Sequence, residues 1–172
     1  MKNWVARFGL ATLICLLAGM VASGFAWYFT SKFGDLTPAI RPNLSSAGVE
    51  TALSSVRNQI LGWCIKSAVS TCVFVLVFLS ISERKAPKSG EQVSSFQSIW
   101  LVVFILNIIA CGLISYCLVP ITDVLAQLNA GNYWALVFII NAVSILGFWI
   151  ATLLFVKPAM RRSVPLSVVF IQ

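Results

Sequence analysis

Residues 59–82 read Gln-Ile-Leu-Gly-Trp-Cys-Ile-Lys-Ser-Ala-Val-Ser-Thr-Cys-Val-Phe-Val-Leu-Val-Phe-Leu-Ser-Ile-Ser, with Lys66 as the single charge. A run this long and this apolar predicts a helix that crosses a bilayer. About 20 apolar residues span the roughly 30 Å hydrocarbon layer, and a helix keeps every backbone hydrogen bond within the segment. Arg84, Lys85 and Lys88 follow at once and act as a basic stop. Three further runs of the same character surround this one, so spans are expected at about 8–29, 60–82, 99–121 and 133–156. Composition supports that reading: charged residues make up 10% of the chain and mean hydropathy is +0.94. A water-facing domain carries about 25% charged residues. The expectation is one all-α membrane domain over 1–172, a polytopic four-transmembrane-helix bundle.

The first run begins after Lys2 and Arg7 and looks at first like a secretory leader. It ends in Phe-Ala-Trp-Tyr-Phe rather than a small-x-small cleavage site, so it reads as a retained helix. Ala11, Cys15, Gly19 and Ser23 recur at every fourth position, and Ala18, Ala22 and Ala26 form a parallel row. Rows of small residues let two helix backbones approach closely. They fit packing on another helix of the chain, homodimerisation or docking on a partner.

The segment 30–59 is the longest stretch outside the spans. Pro38 and Pro42 break its first half. In its second half Leu44, Val49, Leu53, Val56 and Ile60 fall at helical spacing, and Asn43, Ser45 or Ser46 supplies an N-cap. No breaker separates this piece from the second span, so the second helix is expected to begin near Ser46 and to project from the membrane on the outer side. Residues 83–97 read as a polar loop. The third span carries Asn107, Cys111 and Ser115 at every fourth position, and the fourth carries Asn141, Ser144 and Gly147. The apolar piece 164–171 is too short to cross and is expected on the membrane surface or on a partner.

Orientation follows from the basic residues. The N-terminus, the 83–97 loop and the C-terminal end hold Lys2, Arg7, Arg84, Lys85, Lys88, Lys157, Arg161 and Arg162. The other two connections hold only Lys32, Arg41 and Arg57. Positive residues are retained on the cytoplasmic side, so both termini are expected there. Trp4, Trp100 and Trp149 then fall toward the inner interface, and Trp27, Tyr28, Trp63, Tyr116, Tyr133 and Trp134 toward the outer one, as two aromatic belts. The same placement explains the net charge of +7 without nucleic acid, for which no basic run interleaved with aromatics is present.

Several chemistries lack their residues. There is no histidine, no acid in the middle of a span, no Cys-x-x-Cys pair and no Gly-rich phosphate loop. The expectation is a non-enzymatic protein with no catalytic, metal or cofactor-binding residue. The five cysteines read as small packing residues, with a disulfide between Cys64 and Cys117 left open. An ionisable group inside a span is a functional-site candidate, and here that group is Lys66. It either snorkels to the outer interface or pairs with Asp123. Asn107 and Asn141 are expected to hold the bundle by interhelical hydrogen bonds, and Gly19 and Ser23 to mark a contact face.

What remains is a membrane interaction protein, lodged in a bacterial inner membrane and binding a membrane partner through helix faces and its outer segment. The alternative is a subunit of a small homo-oligomeric transporter or channel. Four spans, internal termini, a sizeable first outer loop and a basic C-terminal end resemble the immunity proteins of pore-forming colicins. The run Trp63-Cys-Ile-Lys-Ser-Ala68 is loosely similar to an aromatic–Cys/Asn–Lys–Thr–Ala run of that family. Here Ile65 is inserted, Ser67 replaces the threonine, and Val69 stands where the family has a proline. The resemblance implies recognition of a pore-forming toxin's hydrophobic hairpin within the bilayer, with Lys66 and Asp123 as contacts. The competing role is an accessory subunit of a larger membrane complex.

Overall fold

In the computed structural model the described residues are 2–33, 46–84, 90–115, 130–156 and 163–165. They form four helices: α1 (Lys2–Phe33), α2 (Ser46–Arg84), α3 (Gly90–Leu113) and α4 (Ala130–Phe155). Each contains a stretch long and apolar enough to cross a membrane: Trp4–Tyr28, Arg57–Arg84, Phe96–Leu113 and Trp134–Phe155. The second helix begins at Ser46, where the capping signal stands in the sequence, and runs unbroken through the span. The third begins at Gly90, inside the stretch expected to be a loop. Nothing in 91–98 breaks a helix, so propensity carries α3 past the apolar boundary that hydropathy alone marks. It closes with wider π-type turns at Ile114 and Ser115, and the expected continuation to 121 lies outside the described residues.

Helix α1 is ordered by side-chain size. Large apolar residues of α1 point outward, among them Leu13, Leu16, Leu17, Met20 and Phe25. Its small residues Ala11, Cys15, Ala22 and Ala26 are buried. Polar side chains are buried as well: Ser67, Thr71, Asn107, Ser115, Ser144 and Thr152. A soluble bundle places its large apolar residues inside. In lipid there is no hydrophobic gain from burying leucine, so close backbone approach and hydrogen bonds decide what faces inward.

Helix α1 packs mainly on α2 and α4, while α3 packs on α2 and less on α4. The close contacts run through the small-residue rows. A Cβ added at Gly19 would sit 2.6 Å from the Ala68 Cβ of α2, and one at Gly147 of α4 would sit 2.9 Å from the Ala18 Cβ of α1. Of the three readings the α1 rows allowed, internal packing is therefore the one seen at Gly19, Ala22 and Ala26.

Two apolar clusters fill the interior. One gathers Ala22, Ala26, Ile60, Trp63, Cys64, Leu136 and Ile140. The other lies toward the N-terminal end of α1 and contains Ala11, Cys15, Phe78, Trp100, Phe148 and Val164. The Trp100 ring stacks on Phe104 at 4.7 Å and lies 5.8 Å from Phe148. Its indole nitrogen donates to the Thr152 hydroxyl at 3.0 Å. The belt reading fails for Trp100 and Trp63, which are 3% and 2% exposed and turn inward. Ring stacking plus an indole partner holds Trp100 there more firmly than an interfacial position would. Trp4, Trp27, Tyr28 and Trp134 are exposed.

Of the piece 164–171 expected on the membrane surface or on a partner, residues 164 and 165 are described and 166–171 lie outside the described residues. Ser163 and Val164 are buried, Val164 within the bundle core, and the Trp149 indole donates to the Pro165 carbonyl at 2.9 Å. These residues fold back onto the helices rather than lying out on the bilayer. Val164 meets a surface already apolar, and the indole satisfies a carbonyl left by the turn.

Candidate functional site

Seven interior polar side chains of α2, α3 and α4 form a seam. The Thr71 hydroxyl lies 3.8 Å from the Cys111 sulfur, and Cys111 lies 3.9 Å from Asn107 Oδ1. One turn further on, the Ser115 hydroxyl donates to the Cys111 carbonyl at 2.8 Å. Asn141 Nδ2 on α4 donates to the Ser115 hydroxyl at 3.1 Å and to the Val137 carbonyl at 2.8 Å. Ser144 donates to Ile140 at 2.9 Å within its own helix. The four-residue spacing 107–111–115 places these groups on one α3 face, which Thr71 meets from α2 and Asn141 from α4. The Asn107 amide nitrogen and the Ser67 hydroxyl are buried with no hydrogen-bond partner among the described residues. The seam is neutral, and its groups act as donors and acceptors that join helices.

The sequence-predicted residues do not converge on one point. Asn107 and Asn141 belong to the seam, with Asn141 half-buried. Gly19 and Ser23 lie on the α1 face that meets α2, and Ser23 donates to the Gly19 carbonyl at 2.8 Å. Lys66 is exposed whereas its neighbour Ser67 is buried, and it lies beside the exposed Ile65, Val69 and Leu61. It makes no ion pair among the described residues. Its helical position is nine residues in from Arg57, about 13 Å along the axis. Asp123 lies outside the described residues. Cys64 is a buried free thiol packed toward α1, so the disulfide left open above is not formed. Cys117 lies outside the described residues.

Two charged contacts were not expected. At one end Arg7 pairs with Glu83 at 2.7 Å, and its Nε and Nη2 donate to the Phe155 carbonyl, the Nε at 2.9 Å. One guanidinium thus joins α1, α2 and the C-terminal end of α4, where unpaired carbonyls and the helix dipole favour a cation. The available signal was that Arg7 and Glu83 end neighbouring antiparallel spans with opposite charge. At the other end the Arg57 guanidinium lies 4.8 Å from the Trp27 ring centre, joining α1 to α2. Its signal was weaker, since a basic residue and an aromatic at one interface usually serve as separate anchors.

The fold and its interior define a class: a small, all-helical protein with four helices long and apolar enough to cross a membrane, held by neutral polar contacts inside. Comparison with known proteins adds no narrower assignment. No family model matches the chain, and no curated protein or solved structure is similar to it.

Proposed function

We propose that this chain is a non-enzymatic protein of a bacterial inner membrane that binds a membrane partner through its helix faces. The partner is either a larger complex that it joins as an accessory subunit, or a pore-forming toxin against which it confers immunity. The distribution of basic residues supports a topology with both termini cytoplasmic.

The observation that carries the reading is the exposure of Lys66 on an apolar face of α2. A lysine inside a spanning helix is costly, up to about 2.5–3.5 kcal/mol at the centre and less toward the end where Lys66 lies, unless it snorkels or finds a partner. Lys66 is turned away from the chain's own polar seam, so a docked protein is where it would be matched. The interior supports interaction over transport. Its polar side chains are neutral, and Thr71 with Cys111 and Asn141 with Ser115 join α2, α3 and α4.

Affinity capture of tagged protein from its native membranes in mild detergent tests this. Wild-type protein is expected to bring down one stoichiometric membrane protein, or to protect cells challenged with a co-encoded pore-forming toxin. Lys66→Met, at unchanged membrane abundance, is expected to lose that capture or protection. A wild-type protein that purifies only with itself and protects against nothing would sink the proposal in favour of a homo-oligomeric transporter or channel. Full activity in Lys66→Met would reduce Lys66 to a snorkelling residue.

A further inference from the structure

Arg57 and Trp27 stand at the ends of their apolar stretches, Arg57–Arg84 and Trp4–Tyr28. The Arg7–Glu83 pair closes the opposite ends of the same two helices, so Arg57 and Trp27 lie level with each other at one membrane boundary. Between them is a cavity of about 40 Å³ lined by Ser23, Ala26, Trp27, Arg57, Asn58 and Leu61. That volume takes several polar atoms, since a water needs about 10–15 Å³ by the same measure.

The guanidinium is held in place. Its central carbon lies over the Trp27 ring, 4.8 Å from the ring centre, and Nε is buried without a hydrogen-bond partner among the described residues. A desolvated N–H donor on a cation calls for an anionic acceptor. A guanidinium held over an indole still offers its planar fork of donors, which suits phosphate oxygens because arginine binds them through two donors at once. The rim indicates the source of that phosphate. Trp27 and Tyr28 are each 59% exposed and Leu61 46%, so the cavity opens onto an apolar, lipid-facing surface at headgroup depth.

We infer that Arg57, held over Trp27, binds the phosphate of an anionic glycerophospholipid. The phosphate oxygens enter the cavity between α1 and α2, and the acyl chains run along Leu61 and the outer face of α2. Asn58 and Ser23 line the same cavity and offer further hydrogen-bonding groups to the headgroup. The inference needs no protein partner, and Arg57 and Trp27, which carry it, are not among the residues assigned to partner binding.

Native mass spectrometry on protein taken from vesicles of equal phosphatidylglycerol and phosphatidylcholine reads the result. Wild-type protein is expected to retain one phosphatidylglycerol in preference to phosphatidylcholine. Arg57→Gln is expected to lower that retention about tenfold, the loss of one charge-assisted contact. Arg57→Lys keeps the charge and the fold but loses the planar fork, and is expected to retain measurably less than wild type. It decides the matter if Arg57→Gln fails to fold. Equal retention of the two lipids, or wild-type retention in Arg57→Lys, would overturn the inference. Displacement of the lipid by excess inorganic phosphate alone would assign the cavity to a free anion and overturn the lipid as occupant.

Discussion

Asn107 and Asn141 are alike in type and held in opposite ways. Asn141 spends its amide on Ser115 and Val137, so it links α4 to α3. Asn107 is fully buried, its amide nitrogen has no partner among the described residues, and its carbonyl meets only a sulfur at 3.9 Å. A buried donor without a partner costs about 1–3 kcal/mol, and replacing it with an apolar group of similar shape is near neutral or favourable. Asn141→Leu is therefore expected to destabilise the bundle by about 0.6–2 kcal/mol, the worth of an interhelical hydrogen bond in a membrane protein. Asn107→Val is expected to change stability by less than that, or to raise it. Reversible unfolding in mixed micelles, followed by tryptophan fluorescence, measures both. A larger loss at Asn107 than at Asn141 would contradict this account. The two were equal candidates in the sequence, because residue type and four-residue spacing are the same for each. Which amide finds an acceptor depends on the helix opposite.

At the scale of the element, α1 shows how small residues position a helix. Gly19 leaves room for Ala68, and Gly147 leaves room for Ala18. Gly19→Ala would bring two methyl carbons to 2.6 Å, well inside contact distance. Overpacking of this kind costs about 1–3 kcal/mol. Gly19→Ala is expected to lower the melting temperature, and Ala68→Gly in the same chain to restore most of the loss. Failure of the second change to rescue the first would mean that Gly19 matters for something other than its distance from α2. The rows at 11–15–19–23 and 18–22–26 were legible because their period is local. Their partners were not, since packing on α2, on α4 or on another molecule places the same demand on α1. The start of α3 shows a further limit. Hydropathy marks where lipid begins, whereas a helix ends where its backbone meets a breaker, and residues 90–98 contain none after Gly90.

Across the whole molecule, one arginine ties three helices at one end. Arg7 meets Glu83 and the Phe155 carbonyl at the end of α4, with the Arg7 and Glu83 side chains about a quarter exposed. Arg7→Gln is expected to cost about 1–3 kcal/mol, since it removes the ion pair to Glu83 and the guanidinium donors to the Phe155 carbonyl. Glu83→Gln is expected to cost less, because the bonds to Phe155 remain. Thermal unfolding of the two variants in detergent orders them, and equal losses would mean that the carbonyl contacts add nothing. By itself the sequence determined the number of helices long and apolar enough to cross a membrane, the continuity of α2 from Ser46 and the small-residue face of α1. These depend on chain length, hydropathy and spacing, which act along a single segment. Only the tertiary structure decided that Trp63 and Trp100 turn inward, that Asn141 and not Asn107 is bonded through its amide, that Lys66 faces outward, and that Val164 returns to the core. The reason is physical. Spanning helices are apolar on nearly all sides, so hydrophobicity does not tell lipid face from helix face. That choice is left to the fit of side chains between helices and to the few hydrogen bonds they can make there.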